Sequence, residues 1–304
     1  MKTGFIFPGQ GSQSVGMLAD LAESFDVVIQ TFAQASEVLG YDLWKVVSEG
    51  PDTELNKTEC TQPALLTAGV AVYRVLKDKA ATPSIMAGHS LGEYTALVCA
   101  EALAFTDAVS LVADRGRFMQ EAAPAGAGAM AAILGLDDDV VEQVCASTES
   151  GIVSCANYNS PGQIVIAGEH AAVEVAIEAL KEAGAKRALM LPVSVPSHCS
   201  LMKPAADALA ERLFAIEVKS PTVRVIHNVD AQTHSEPTEI KQVLIEQLYK
   251  PVRWVDVMTV MSAQSDQVIE SGPGKVLAGL CKRIDRKLTC LPVYDPSSLE
   301  KALT

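Results

Sequence analysis

A chain of 304 residues, 49% apolar and 20% charged, has the balance of a folded globule rather than a disordered or fibrous chain, with room for one main domain and a smaller one attached. Its formal net charge of −13 argues against broad nucleic-acid binding, which needs basic surface, and no apolar run is long enough to span a bilayer. Seven cysteines without a CxxC pair argue against a disulfide scaffold and a structural zinc site; the apolar run at the N-terminus is too short for a secretory segment, so a cytoplasmic protein is expected.

"GFIF" (4–7) reads as a first strand, buried on both faces and ended by Pro8. A long helical region follows, clearest over 61–79, and then "SIMAG" (84–88) reads as the next strand. Residues 91–102 and 105–122 read as helices, the second with Thr106 as its N-cap. After a flexible, glycine-rich stretch at 124–128, the pattern is strand (129–134), helix (137–148), strand (151–158), turn "NSPG", strand (163–169), helix (171–184) and strand (186–193). That β-α-β-β-α-β order is ferredoxin-like. A helix at 199–213 and strands at 223–228 and 267–271 then resume the α/β pattern, which signals a mainly parallel sheet. The chain thus reads as a large α/β domain, 1–124 and 197–304, interrupted by a small domain over 125–196.

The strand at 84–88 runs into "GHSLG", the Gly-x-Ser-x-Gly frame of a nucleophile elbow, a tight turn that lifts a serine off the sheet edge. A chain of this length contains the bare pattern by chance about a tenth of a time, and its place between a strand and a helix sharpens it further. Ser90 is therefore the candidate nucleophile. His89 stands beside it, but adjacent side chains diverge around such a turn, so its expected work is packing or hydrogen bonding beneath the turn. Of the other histidines, His170 and His234 lie in polar stretches and His227 reads as a satisfied core residue. His198, in "PVSVPSHCSLM" where a strand gives way to a helix, is the candidate base. Cys199 beside it reads as a small apolar residue.

The loop "FPGQGSQSVG" (7–16) is glycine-rich and follows a strand, but Met17 stands where a phosphate loop needs lysine. "GAGAMA" (126–131) fits a loose GxGxxA, yet it precedes a strand. What the first loop can supply is the backbone N–H of Gln10, which with that of Leu91 would make an oxyanion hole. On the helix 105–122, the neighbours of Arg115 at three and four residues are apolar, and those of Arg117 mostly polar, so Arg115 points inward and Arg117 outward. A buried guanidinium needs an anion: either an internal Asp or Glu or a substrate carboxylate. In "CKRIDRK", Lys282, Arg283, Arg286 and Lys287 form a basic cluster, which reads either as a solvated helix face or as the meeting place for an acidic partner.

The set "FPGQGSQ", "GHSLGEY", "ADRGRFMQ", "NSPGQIVIAG", "PVSVPSHCSLM", "QLYKPVRW" and "ESGPGKVL", in this order along nearly the whole chain, closely resembles the malonyl-CoA:acyl carrier protein transacylases of bacterial fatty acid synthesis. The resemblance implies an α/β-hydrolase-like core with an inserted ferredoxin-like subdomain. It makes Ser90 the nucleophile, His198 the base, Gln10 and Leu91 the oxyanion donors, and Arg115 the clamp for the free malonyl carboxylate. Gln62, Asn159 and Gln247 match pocket positions, and the histidine is oriented by a backbone carbonyl from the Gln247 region rather than by an aspartate. Ser197 stands where related domains of multidomain synthases often carry an aromatic residue, which leaves acyl selection resting mainly on Arg115. The implied enzyme is a monomer with malonyl-CoA as substrate, acyl carrier protein as partner, no cofactor, no metal, no nucleic acid and no membrane. Because carrier proteins of this pathway are acidic, the cluster at 282–287, with Lys186, Arg187 and Lys275, becomes a docking surface. An esterase or thioesterase would share the nucleophile, but Arg115 and the lack of an HGGG-type loop argue against it. Intact Ser90, His198 and Arg115 argue against a degenerate carrier-binding module; a transacylase of malonate decarboxylation or polyketide synthesis is the nearest alternative.

Overall fold

The fold is described from a computed structural model for residues 2–77, 79, 82–124, 126–193 and 195–304. In chain order its strands are β1 (Thr3–Phe7), β2 (Ile85–Gly88), β3 (Gly128–Leu134), β4 (Val153–Ser160), β5 (Gln163–Glu169), β6 (Arg187–Met190), β7 (Val225–Ile226), β8 (Gln267–Ser271) and β9 (Thr289–Val293). Between β1 and β2 run α1 (Ala19–Ser24), α2 (Asp26–Leu39), α3 (Leu43–Glu49), α4 (Asp52–Leu55) and α5 (Thr58–Lys77). Then come α6 (Leu91–Cys99), α7 (Phe105–Ala122), α8 (Asp138–Ser147), α9 (His170–Glu182) and α10 (Lys203–Ala215), followed by α11 (Pro237–Gln247), α12 (Trp254–Gln264), α13 (Val276–Ile284) and α14 (Pro296–Leu303).

Five strands in the order β7-β2-β1-β8-β9 pair in parallel throughout. The sheet is covered on both faces, which is why β1 reads as a continuous apolar run instead of an alternating one. Phe5 and Phe7 turn toward the large cluster around α5 and α7, while Ile6 turns the other way, toward Trp254, Val257 and Met261 of α12. The remaining strands form a separate antiparallel sheet in the order β4-β5-β3-β6. With α8 joining β3 to β4 and α9 joining β5 to β6, this is the ferredoxin-like arrangement, around its own core of Ile133, Ile166, Val173 and Leu180. The α/β class with a mainly parallel sheet, expected from the sequence, is the class observed. The expected boundary residue Ala125, like Asp78 within the expected helix 61–79 and Ser194 before His198, lies outside the described residues.

Several elements differ in detail from the expectations. α5 starts at Thr58 and accommodates Pro63 near its start. Thr106 is not the cap of α7: Ala104 holds the N-cap position, and Thr106 is an exposed residue of the first turn. The strand expected over 223–228 shrinks to β7, because His227 and Asn228 leave the sheet to bond elsewhere. β9 went unread because "TCLPV" contains Pro292, which lacks a ladder donor; it is tolerated on an edge strand paired only with β8.

The carboxyl ends of β7, β2, β1 and β8 all open on one side, and between β2 and α6 the chain turns within two residues. The two glycines of the GHSLG turn are there for space. A Cβ on Gly88 would lie 1.9 Å from backbone atoms of Gly92, and one on Gly92 would lie 2.0 Å from the Phe7 carbonyl oxygen at the end of β1. Gly92→Ala is therefore expected to cost about 3 kcal/mol or more, since only backbone can yield there. Gly279→Ala, in open space on α13, is expected to gain stability by about 0.5–1 kcal/mol. Urea midpoints at unchanged slope would show both.

Candidate active site

A cavity of about 320 Å³ lies at the carboxyl ends of the parallel strands, between that sheet and the antiparallel one. Ser90 sits at its floor with φ 52° and ψ −107°, in the left-handed half of backbone space that the elbow imposes. Its N–H donates to Asn228 Oδ1 at 2.7 Å, and Asn228 Nδ2 donates back to the Gly88 carbonyl at 2.7 Å, so one amide clamps both sides of the turn.

Ser90 Oγ lies 2.8 Å from His198 Nε2, and His198 Nδ1 lies 2.7 Å from the backbone oxygen of Gln247. The carbonyl can only accept, so Nδ1 carries the proton and Nε2 is left to accept from the serine hydroxyl, a tautomer assigned from these partners. Burial, helped by the positive Arg115, pushes the His198 pKa down to about 3 against the opposing pull of the Gln247 carbonyl. The imidazole is therefore neutral at ordinary pH.

His89 turns away from the serine: its Nε2 meets Asn159 Oδ1 at 2.8 Å and its ring lies 5.2 Å from that of Trp254. It ties the elbow to β4, and Asn159 lines the cavity while holding it. Burial lowers its pKa too. Cys199 is buried, donates from Sγ to the Pro196 carbonyl, and has its thiol pushed up to about 11 by burial, which suits an inert packing residue.

Arg115 is 1% exposed, whereas Arg117 lies outside and pairs with Asp114 and Glu121. Gly116 permits this inward placement, since a Cβ there would be 2.6 Å from the Thr58 carbonyl oxygen where α7 crosses the start of α5. The Arg115 guanidinium donates to Gln62 Oε1 (2.8 Å), Gln247 Oε1 (3.0 Å) and Ser90 Oγ (3.3 Å). Among the described residues no carboxylate stands within 4.0 Å of it, so the internal ion pair that the sequence left open is not formed. Gln62 and Gln247 are fully buried behind it. Gln10 and Leu91 both border the cavity beside Ser90; Leu91 opens α6, where no preceding turn offers its N–H an intrahelical carbonyl.

One wall is α13, with Val276, Leu277 and Leu280 on the cavity. The buried Glu270 carboxylate at the end of β8 anchors it, accepting from the N–H groups of Leu277 and Ala278; burial raises its pKa to about 7. Further along the same helix and its exit, Lys282, Arg283, Arg286 and Lys287 are all exposed and make no ion pair among the described residues, Arg283 donating instead to Gln163. Lys186 and Arg187 are exposed at the start of β6, whose continuation through Leu191 and Val193 forms the facing wall.

Three residues beneath the elbow went unread as site residues: Glu93, His227 and Asn228. Glu93 Oε1 meets His227 Nδ1 at 2.7 Å, and Glu93 Oε2 accepts from Asn228 N–H (3.0 Å) and Gln247 Nε2 (2.8 Å), all without solvent exposure. The available signal was an acid on the inner face of a short apolar helix, three residues after the serine, where burial without partners is costly.

Residues 4–283 match the family described as acyl transferase domain. The chain is 57% identical over 302 residues to a malonyl CoA-acyl carrier protein transacylase of Escherichia coli, covering 98% of each chain. It is 56% identical to the one of Haemophilus influenzae, over 98% of this chain and 96% of the other. Among solved structures, an acyl carrier protein S-malonyltransferase of Vibrio cholerae superposes with a TM-score of 0.97 at 56% identity, over 99% of both chains. A malonyl-transacylase in complex with its type II PKS acyl-carrier protein superposes at 0.98 with 55% identity, over 100% of this chain and 99% of the other.

The depressed His198 pKa fixes the sign of a pH dependence. Nε2 must be unprotonated to take the serine proton, so reactivity persists well below pH 6.5 and is lost only as the pH falls toward 3. Labelling of Ser90 by a sulfonyl fluoride, followed against pH, should show its acid limb below pH 5; a limb near 6.5 would contradict it. Arg115→Gln should move that limb upward, because the repelling cation is gone.

Proposed function

The chain belongs to the acyl transferase family, and from that footing we propose that it is a malonyl CoA-acyl carrier protein transacylase working through an ester on Ser90. His198 Nε2 takes the Ser90 proton as Oγ attacks the malonyl thioester carbonyl. The developing oxyanion faces the N–H groups of Gln10 and Leu91. Collapse expels CoA as a thiol that takes its proton from His198, and malonyl stays on Ser90. The phosphopantetheine thiol of the carrier then gives its proton to His198 and attacks the ester; as the carrier thioester forms, Ser90 Oγ leaves and takes that proton back from His198. Every bond made and broken is an acyl bond, and the chemistry asks for no cofactor or metal.

The observation that carries this reading is Arg115: a guanidinium removed from water, 3.3 Å from the nucleophile, bonded to amide and hydroxyl oxygens over the Tyr94 ring and, among the described residues, without a carboxylate partner. A malonyl group bound at Ser90 has its free carboxylate one methylene beyond the reacting carbonyl, within the span of that cavity floor. A thioesterase for neutral acyl chains would gain nothing from it.

All these residues come from one chain, which fits a monomer. Supply of fatty acid synthesis, in the cytoplasm, follows from the resemblance along the whole chain; among the described residues no helix is long and apolar enough to cross a membrane. The likeness to a malonyl-transacylase of a type II PKS keeps a second reading in view, in which the carrier belongs to polyketide synthesis. The exposed cations at 282–287, with Lys275 at the start of α13 and Lys186 and Arg187 at the start of β6, are the docking surface for an acidic carrier.

Intact-protein mass spectrometry after brief mixing with malonyl-CoA should show one malonyl adduct, absent from Ser90→Ala and discharged by phosphopantetheinylated carrier. Steady release of malonate without transfer would mean a thioesterase. Arg115→Ala should load malonyl at least about 100-fold more slowly, since it removes one partner of a buried charge pair. Charge reversal at Lys282 and Arg286 should raise the KM for carrier several-fold while loading from malonyl-CoA stays unchanged; equal effects on both half-reactions would sink the docking assignment.

A further inference from the structure

We propose that Glu93 is a positioning residue for acyl transfer, the one carboxylate through which Ser90, His198 and Arg115 are held in mutual register. The inference rests on the roles assigned above to those three side chains. Glu93 is wholly buried in the first turn of α6 and reaches none of the reacting atoms itself. Its links through Asn228 and Gln247 lead to residues that do.

Through Asn228, whose backbone N–H it accepts, Glu93 fixes the amide that bonds the Ser90 N–H and the Gly88 carbonyl. Through Gln247 it does more. Gln247 Nε2 donates to Glu93 Oε2 and to the Ser90 carbonyl, which forces Gln247 Oε1 toward Arg115. Were that amide reversed, the guanidinium would face an NH2 group and lose an acceptor in a buried place. The backbone oxygen of the same Gln247 orients His198. The third acceptor contact is to His227 Nδ1, whose Nε2 has no partner among the described residues; a single proton on Nδ1 satisfies the pair and keeps Glu93 an acceptor on every side.

The charge of Glu93 is part of the role. Among the described residues Arg115 has no carboxylate in contact, and Glu93 faces it across one amide, so Gln247 lies polarised between anion and cation. Glu93→Gln keeps the shape but removes the charge, and its NH2 faces either the donors Asn228 N–H and Gln247 Nε2 or His227, which must then shift its proton to the unpartnered Nε2.

The test uses malonyl loading of Ser90 by rapid quench and mass spectrometry, with thermal melting as the check on folding. Glu93→Gln should reduce the loading kcat about 100-fold and also raise the KM for malonyl-CoA, because both the elbow and Arg115 loosen. Glu93→Asp should recover part of the loss. Asn228→Ala cuts only the elbow link, so it should lower kcat with KM nearly unchanged; it also serves if Glu93→Gln does not fold. The double variant should be no worse than about 100-fold, since the two act as one unit. A folded Glu93→Gln loading at the wild-type rate, effects that multiply to about 10,000-fold, or identical KM behaviour in both variants would each overturn the proposal. If the wild-type chain forms no malonyl adduct, the reading of the site fails instead, and the two failures are told apart in the same experiment.

Discussion

The backbone of Ser90 is the constraint on which the site depends. A φ of 52° is a conformation that a side chain rarely adopts, and holding it costs on the order of 1–3 kcal/mol. It persists because the surroundings leave no alternative. Gly88 and Gly92 let the turn fold onto itself and onto the end of β1, Gly9 approaches the His89 carbonyl closely enough that a Cβ would lie 2.4 Å from it, and Asn228 bonds both limbs. The sheet is thus part of the site: parallel neighbours place the ends of β1 and β7 beside the end of β2, and each end contributes a residue that pins the serine.

Around that fixed point the electrostatics follow from the absence of water. His198 stays neutral because burial and Arg115 both disfavour its charge, which suits a group that must accept a proton before it gives one back. Arg115 is buried where, among the described residues, two amide oxygens, a hydroxyl and the face of the Tyr94 ring answer it and no carboxylate does. A carboxylate entering there recovers part of the desolvation already incurred by the guanidinium, whereas a neutral acyl group recovers none. In the proposed transacylase this is how Arg115 would favour a malonyl group over a neutral acyl group.

What could be read from the sequence divides along the same line. The α/β class, the ferredoxin-like order and the inward turn of Arg115 are matters of period and local pattern, and a serine between two glycines after a strand carries its own geometry. His198 stood out for its place at the end of a strand, and the structure puts its Nε2 2.8 Å from Ser90. Glu93, His227 and Asn228 were out of reach, because their partners lie 134 residues or more away along the chain and no spacing rule links them. β9 was hidden by Pro292, tolerated at an edge position, and the start of α5 by Pro63, which the structure places in the second turn of that helix. Thr106 has the chemistry of a cap, but the helix begins one residue before it.

Charge acts at a longer range as well. With a net charge of −13 the chain repels an acidic macromolecule over most of its surface, so a few exposed, unpaired cations carry orienting weight beyond their number. Those cations sit on α13 and at the start of β6, the two elements whose apolar residues wall the cavity from opposite sides. On the docking surface proposed above, a carrier steered to these cations would be brought with its thiol arm over the mouth of the cavity. Between rim and Ser90 the cavity is lined by apolar Val276, Leu280, Leu191 and Val193 together with polar Gln10, Asn159 and Gln163. In the proposed transacylase, recognition of the partner would fall to charge at the rim and recognition of the acyl group to Arg115 at the floor, so that either could change without the other.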